Sequence, residues 1–350
     1  MTDVTGATKA GRRSAEDQLA LARRLVVPPL RSWVGHLPVH TRHVAEYHFG
    51  WRDGAGRALR GGGAVGKLVR PALALGCARA VGGRPEDAVD AAVAVELVHN
   101  FSLLHDDVID RDGTRRHRPT VWREFGVPAA VLTGDALLSL AFRVLAEGPA
   151  GRDGAAVRVL AAAVTTLIEG EGADVSFETR DDVGAAECAA MAADKTGALM
   201  GAACALGALT AGGDPAGAER LAAFGRHLGT AFQAVDDLLG IFGDPGVLGK
   251  PVGADLAARK KSLPVVAALA SDCPAGAELR LLYADREPLD GARLARAVEL
   301  VAAAGGRDAA RELADVRCAA AHACLRQARA APAAADELSA LADLLTRRQY

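Results

Sequence analysis

Glu96-Leu97-Val98-His99-Asn100-Phe101-Ser102-Leu103-Leu104-His105-Asp106-Asp107-Val108-Ile109-Asp110 is an apolar helical run that ends in three aspartates. Asp106 and Asp110 lie four residues apart, and Asp107 and Asp110 three apart. Helical spacing therefore gathers the carboxylates at one end of one helix. Like charges that close repel, and burying them unpaired costs several kcal/mol. A cation has to neutralise them. Ligands that are all oxygen, with no cysteine set nearby, suit Mg²⁺. A solvated acidic helix end would show the same Asp-Asp-x-x-Asp spacing, so the motif decides little by itself.

Its surroundings decide more. Arg115 and Arg116 follow at once, then Arg118-Pro119-Thr120. Metal-binding carboxylates beside paired arginines suit a diphosphate: a metal bridges its oxygens and guanidinium groups bind them in pairs. A second cluster, Phe232-Gln233-Ala234-Val235-Asp236-Asp237-Leu238-Leu239-Gly240-Ile241-Phe242-Gly243-Asp244, also sits at the end of an apolar helix. Two such clusters can clamp one metal–diphosphate group from opposite sides. Downstream lie Gly249-Lys250-Pro251, Asp255 and Lys260-Lys261-Ser262-Leu263-Pro264, whose lysines can reach phosphates as mobile point charges. In Gly66-Lys67-Leu68-Val69-Arg70-Pro71 two basic residues leave a glycine-rich loop and enter a helix, where backbone N–H groups also favour an anion. Taken singly, Lys67 and Arg70, or Lys195-Thr196, would read as surface charge.

The rest of the chain reads as helical. Half of its 350 residues are apolar, and alanine, leucine, arginine and glutamate, all strong helix formers, dominate. That is length enough for a large core. A helix is expected from near Ser14, ended or bent at Pro28-Pro29, and a second over about Pro38–Phe49. Further helical patterns cover roughly Val69–Val81, Pro85–Arg111, Pro128–Ala146, Ala155–Arg180, Ala185–Ala211, Ala216–Phe242 and Ser262–Ala270, with more from about Asp290 onward. Residues 1–14 read as a disordered tail and 15–350 as one domain. The net charge of −2 gives no field that would recruit nucleic acid. Six scattered cysteines read as reduced thiols of a cytoplasmic protein. The uncharged stretch from Thr196 to Gly213 reads as a buried helix, not a membrane span. His36 and His40 have metal-like spacing, but Pro38 interrupts them and no carboxylate completes a site.

Together the motifs resemble the trans-isoprenyl diphosphate synthases (polyprenyl synthetases), which include farnesyl and geranylgeranyl diphosphate synthases. The resemblance runs from about Tyr47 to the C-terminus with every motif in family order. It implies an all-α, single-domain bundle of antiparallel helices around a deep central cavity, usually a homodimer. It implies Mg²⁺ on Asp106, Asp110 and Asp236, with Asp107 and Asp237 in support. Arg115 matches the allylic-diphosphate arginine; Lys67, Arg70, His99 and Arg116 match the isopentenyl diphosphate pocket. Lys195, Thr196, Gln233, Lys250 and Lys260 match positions facing the allylic diphosphate and the cation that forms from it. The implied reaction is condensation of isopentenyl diphosphate with an allylic diphosphate. Phe101 and Ser102 lie about one helical turn before Asp106, where they can floor a prenyl tunnel and suggest a C15 to C20 product.

Three positions depart from the commonest family pattern. Leu68 stands where arginine is frequent, Glu171 where glutamine is usual, and Gly240 where the second motif usually has its third aspartate. Those departures are what a non-catalytic partner subunit would show. A terpene cyclase on the same scaffold is the other rival, but it needs no second diphosphate pocket.

Overall fold

The structure is a computed structural model that describes residues 12–59, 66–148, 154–243, 253–285 and 288–347. Its first helix, α1 (Ala15–Gly35), starts at a capping box in which Ser14 and Asp17 satisfy each other's backbone N–H groups. Of the two outcomes expected at Pro28-Pro29, an end or a bend, the helix does not end there. Its fully buried stripe of Ala22, Val26, Leu30 and Val34 continues across both prolines, and that burial outweighs the backbone hydrogen bonds they remove. Ahead of it, the backbone N–H of Arg13 donates to Glu337 and Arg12 pairs with Asp336.

The helices α2 (Val39–His48), α3 (Val69–Ala80) and α4 (Val89–Ile109) follow, then a short hairpin at Thr114–Arg115 and Arg118–Pro119. Next come α5 (Val121–Phe125), α6 (Val127–Glu147), α7 (Ala155–Phe177) and α8 (Ala185–Ala192). A π-helical turn, Ala193–Gly197, carries α8 into α9 (Ala198–Thr210). Asp214 caps α10 (Pro215–Phe242). The remaining elements are α11 (Ala254–Ala257), α12 (Leu263–Leu269), α13 (Pro274–Ala284), α14 (Gly291–Ala303), α15 (Gly306–Gln327) and α16 (Pro332–Thr346).

The uncharged stretch is the middle of the bundle. Residues 198–208 of α9 are buried on every face, and α3, α4, α7 and α10 surround the helix. α13 falls between the helical patterns expected over Ser262–Ala270 and from about Asp290, where no helix is expected. Proline at the first helical position starts a helix, and here the Cys273 side chain caps it. Among the described residues one helix, Val127–Glu147, is long and apolar enough to cross a membrane. It packs on α4 within the bundle, with 44% of its apolar window buried.

Candidate active site

α4 and α10 bring their aspartate clusters to one region. Asp106 and Asp236 line a cavity of about 380 Å³, together with Lys67, Arg70, His99, Arg115, Arg116, Lys195, Thr196 and Gln233. Asp110, Asp237 and Lys260 line a neighbouring cavity of about 220 Å³ that shares Asp106, Arg115, Lys195 and Gln233 with the first. The expected residues thus converge, apart from two. Lys250 lies outside the described residues. Asp107 lines neither cavity: it is 2% exposed and accepts from Arg115 Nε at 2.8 Å, with the Arg115 Nη2 at 2.7 Å.

Arg115 and Arg116 sit on the hairpin. Arg116 (φ 52°) and His117 (φ 60°) both adopt the left-handed conformation of its two-residue turn, where asparagine and glycine are usual. Two L residues there store of order 1–2 kcal/mol each. Tertiary contacts hold the turn in place. Tyr47 donates its hydroxyl to the Pro119 carbonyl at 2.9 Å, and Arg118 donates to the Tyr47 carbonyl at 2.9 Å. Thr120 and Trp122 side chains both donate to the Asp112 carbonyl, at 2.8 and 2.7 Å.

Lys195 and Thr196 ride on the π-turn. A π-turn inserts one residue into a helix and turns its side chains out of the regular rows. Gly170 of α7 and Gly229 of α10 approach that turn from two sides. A Cβ at 170 would stand 2.8 Å from Asp194 C and Lys195 Cα, and one at 229 would stand 2.6 Å from Gly197 Cα. So clasped, Lys195 Nζ reaches Glu171 at 2.6 Å and Asp174 at 2.7 Å. Thr196 donates to Gln233 Oε1 at 2.7 Å, and Gln233 donates onward to Asp237 at 2.9 Å. Lys260 Nζ lies 2.8 Å from Asp110.

The charges are strongly polarised. Burial pushes the Asp106 carboxyl up to about 7, against the pull of Lys195. Burial also pushes Asp237 up to about 7, opposed by the Gln233 hydrogen bond, with Asp255 and Asp236 adding repulsion. Burial alone would lower Lys195, but Asp174, Asp106 and Glu171 outweigh it and hold the ammonium charged. Lys260 is held charged by Asp110 in the same way. Burial, with Arg116 and Arg115 nearby, drives His48 down to about 3; burial with Arg70 and Arg116 lowers His99 well below its ordinary value. Both imidazoles are therefore neutral hydrogen-bonding groups. Below them Asn100 accepts from His48 at 3.0 Å and donates to the buried Glu96 at 3.0 Å.

Some of these residues carried no local signal. Glu96, His48 and Asn100 belong to ordinary helical patterns, and Asp174 is one carboxylate among several on α7. Asp255 is a lone aspartate downstream of the second motif, yet it stands where Gly240 leaves room: a Cβ at 240 would lie 2.8 Å from Asp255 Cγ. Leu68 is 3% exposed, left-handed at φ 57°, and lines the first cavity just before α3. Ser102 lines that cavity with Leu103, Leu167, Met200 and Phe232. Phe101 is turned from it and stacks edge-on against His105 at 4.7 Å. His105 itself bonds the Val131 carbonyl at 3.1 Å.

Comparison with known proteins agrees with this geometry. The polyprenyl synthetase family model matches residues 61–301. A (2E,6E)-farnesyl diphosphate synthase of Mycobacterium tuberculosis is 48% identical over 292 residues, covering 83% of this chain and 81% of that protein. A geranylgeranyl diphosphate synthase of the same organism is 47% identical over 310 residues, covering 87% and 86%. The crystal structure of a polyprenyl synthetase from Streptomyces coelicolor A3(2) superposes with a TM-score of 0.90 at 45% identity, covering 95% of this chain and 99% of that one. The chain belongs to the polyprenyl synthetase family.

Proposed function

We propose that the protein is a short-chain prenyltransferase that condenses isopentenyl diphosphate head-to-tail with an allylic diphosphate, giving a product of C15–C20. The observation that carries this reading is the convergence of two aspartate clusters on a cavity that also holds a second basic group, Lys67, Arg70, His99 and Arg116. A cyclase, with one diphosphate to bind, has no use for that second group. The similarity to farnesyl and geranylgeranyl diphosphate synthases supports the same product range.

The metal reading follows from the donors. Asp106, Asp110, Asp236 and Asp237 offer only oxygen, and the buried carboxyls of Asp106 and Asp237 hold protons to about 7 without a cation. Such a set fits Mg²⁺. When bound, Mg²⁺ supplies Lewis-acid stabilisation of the leaving diphosphate. Asp106, Asp110 and Asp236 would hold it, with Asp107 fixing Arg115 and Asp237 fixing Gln233.

The protein's own groups perform the rest. Arg115, Lys195 and Lys260 take up charge on the allylic diphosphate as its C–O bond ionises, with Lys250 assigned to the same group. Lys67, Arg70, Arg116 and a neutral His99 hold isopentenyl diphosphate so that its double bond faces the cation. Thr196 and Gln233, joined by their hydrogen bond, aim oxygen dipoles at the developing charge. Leu103, Leu167, Met200 and Phe232 keep water from it. The proton released on bond formation goes to the departing diphosphate.

We read the chain as one domain and as a homodimer; of the expected tail, residues 12–14 are instead held against α16 and the start of α1, and residues 1–11 lie outside the described residues. The dimer reading rests on unpartnered apolar side chains on the neighbouring helices α6 and α7: Leu132 is 65% exposed and Ile168 50%, with Val127, Val131 and Val175 beside them. Six unbonded thiols support a cytoplasmic setting.

The test is incorporation of radiolabelled isopentenyl diphosphate by purified protein with Mg²⁺ and dimethylallyl, geranyl or farnesyl diphosphate, followed by sizing of the dephosphorylated products. Elongation that chelator and Asp106→Ala both abolish is the expected result. No incorporation from any primer would sink the reading. It would move the protein to a partner-dependent subunit.

A further inference from the structure

Far along the chain from the aspartate clusters, α15 (Gly306–Gln327) and α16 (Pro332–Thr346) carry Cys318, His322 and Asp343. Cys318 and His322 are four residues apart on α15, so their side chains rise from one face, one turn above the other. Asp343 meets them from α16. The thiol sulfur, an imidazole nitrogen and a carboxylate oxygen all lie within 4.8 Å of one another, and His322 Nε2 is 3.4 Å from Asp343 Oδ1. Around a tetrahedral Zn²⁺ with bonds of about 2.0–2.3 Å, neighbouring ligand atoms stand roughly 3.3–3.6 Å apart. The imidazole–carboxylate pair already has that spacing. The thiol sulfur, within 4.8 Å of both, has to approach by at most about 1.3 Å to join it.

We propose that Cys318, His322 and Asp343 form a zinc site that ties α16 to α15. The chemistry selects the ion: a thiolate and an imidazole are soft to borderline ligands and disfavour Mg²⁺. All three residues are half-buried, so a water completes the fourth position and the ion enters from solvent. Two neighbours bear on the site. Thr346 Oγ1 is 3.6 Å from the Cys318 sulfur, within reach to orient it. Arg347 lies 3.6 Å from Asp343 with 78% of its side chain exposed, and it swings away when the metal takes the carboxylate. α15 packs along α10, which carries Gln233 and both aspartates of the second cluster. An ion that binds only the folded protein stabilises this part of the bundle.

The experiment uses the full chain, stripped with chelator and titrated with Co²⁺ and then Zn²⁺. One equivalent of Co²⁺ is expected to give a thiolate charge-transfer band in the near ultraviolet and intense visible bands of a tetrahedral ion. Zn²⁺ should displace both and raise Tm by several degrees. The oxygen donors of the aspartate clusters give no thiolate band, so the readout does not depend on the reaction proposed above. Cys318→Ser and His322→Gln should each lose the band or weaken Co²⁺ binding at least tenfold, with Mg²⁺-dependent turnover unchanged. Absence of a thiolate band in the unaltered protein overturns the proposal. So does a band that survives in both variants, because the thiolate would then belong to another cysteine. If Cys318→Ser fails to fold, His322→Gln alone decides, since it keeps the thiol and removes the imidazole.

Discussion

Replacing Gly170 with alanine tests whether the π-turn is held by backbone contact. The new methyl would stand 2.8 Å from Asp194 C and Lys195 Cα, and closer still to Lys195 N, where ordinary contact starts near 3.4 Å. The three atoms nearest to it are all backbone, so the closest clashes are not relieved by a side chain swinging aside. The turn must retreat by at least about 0.6 Å, yet Gly229 blocks it from behind, with a virtual Cβ only 2.6 Å from Gly197 Cα. Overpacking of this kind costs about 1–3 kcal/mol. The retreat carries Lys195 and Thr196 with it, and a misplacement approaching 1 Å lowers turnover by up to roughly 100-fold. Steady-state kinetics should therefore show kcat down by about 10–100-fold. KM for isopentenyl diphosphate should change little, because Lys67, Arg70, His99 and Arg116 stand on other elements. The control is Gly172→Ala, two residues on, where a Cβ meets nothing within 4 Å. It should keep full activity and gain up to about 1 kcal/mol from helix propensity. A Gly170→Ala protein with wild-type kcat and an unchanged melting curve would refute the clasp.

Three other outcomes follow from the same geometry. Gly240→Asp, which restores the commoner residue, should weaken Mg²⁺ binding and stability, since its Cβ would lie 2.8 Å from Asp255 Cγ; Gly240→Asp with Asp255→Ala should recover both, with a coupling energy of about 0.5–3 kcal/mol in a double-mutant cycle. Asp107→Asn should cost about 3 kcal/mol in denaturant unfolding, the low end for breaking a buried pair because Arg115 is 29% exposed, whereas Asp106→Asn should abolish turnover with little loss of stability. In metal-free protein Asp106 and Asp237 keep protons up to about 7, so calorimetry should show Mg²⁺ affinity rising with pH to that value, with proton release on binding. Stability without metal should run the opposite way: a raised carboxyl pKa favours the native state below the unfolded value near 3.9, and that advantage is lost as pH climbs towards 7.

The chemistry was legible in the sequence wherever it was local. Asp106 with Asp110, and Gln233 with Asp236 and Asp237, share a helical face by spacing alone, and the structure puts them on shared cavities. Placement was hidden wherever it depends on a distant partner. Ala185–Ala211 has unbroken helical periodicity, and nothing in it announces the π-turn. The turn exists because glycines on two other helices leave room for it. The hairpin was hidden for a related reason: Arg116-His117 opposes the left-handed turn locally, and Tyr47, more than sixty residues upstream, anchors it through Arg118 and Pro119. Phe101 and Ser102 are adjacent in sequence, but only Ser102 faces the cavity.

The three departures from the family pattern take on different meanings once their surroundings are visible. Leu68 is a buried apolar residue at a left-handed backbone position, so the space an arginine would use has become part of the cavity wall. Glu171 gives Lys195 a second carboxylate beside Asp174 and makes the ammonium more firmly charged. Gly240 leaves the space that the Asp255 carboxylate fills, so a negative charge remains near Asp237 although it comes from another part of the chain. A decaying site would lose charge without replacement. Here the lost carboxylate has a substitute at the same place, and the added one has a cation to hold. That pattern is what continued catalysis requires, and the Gly240–Asp255 cycle measures it directly.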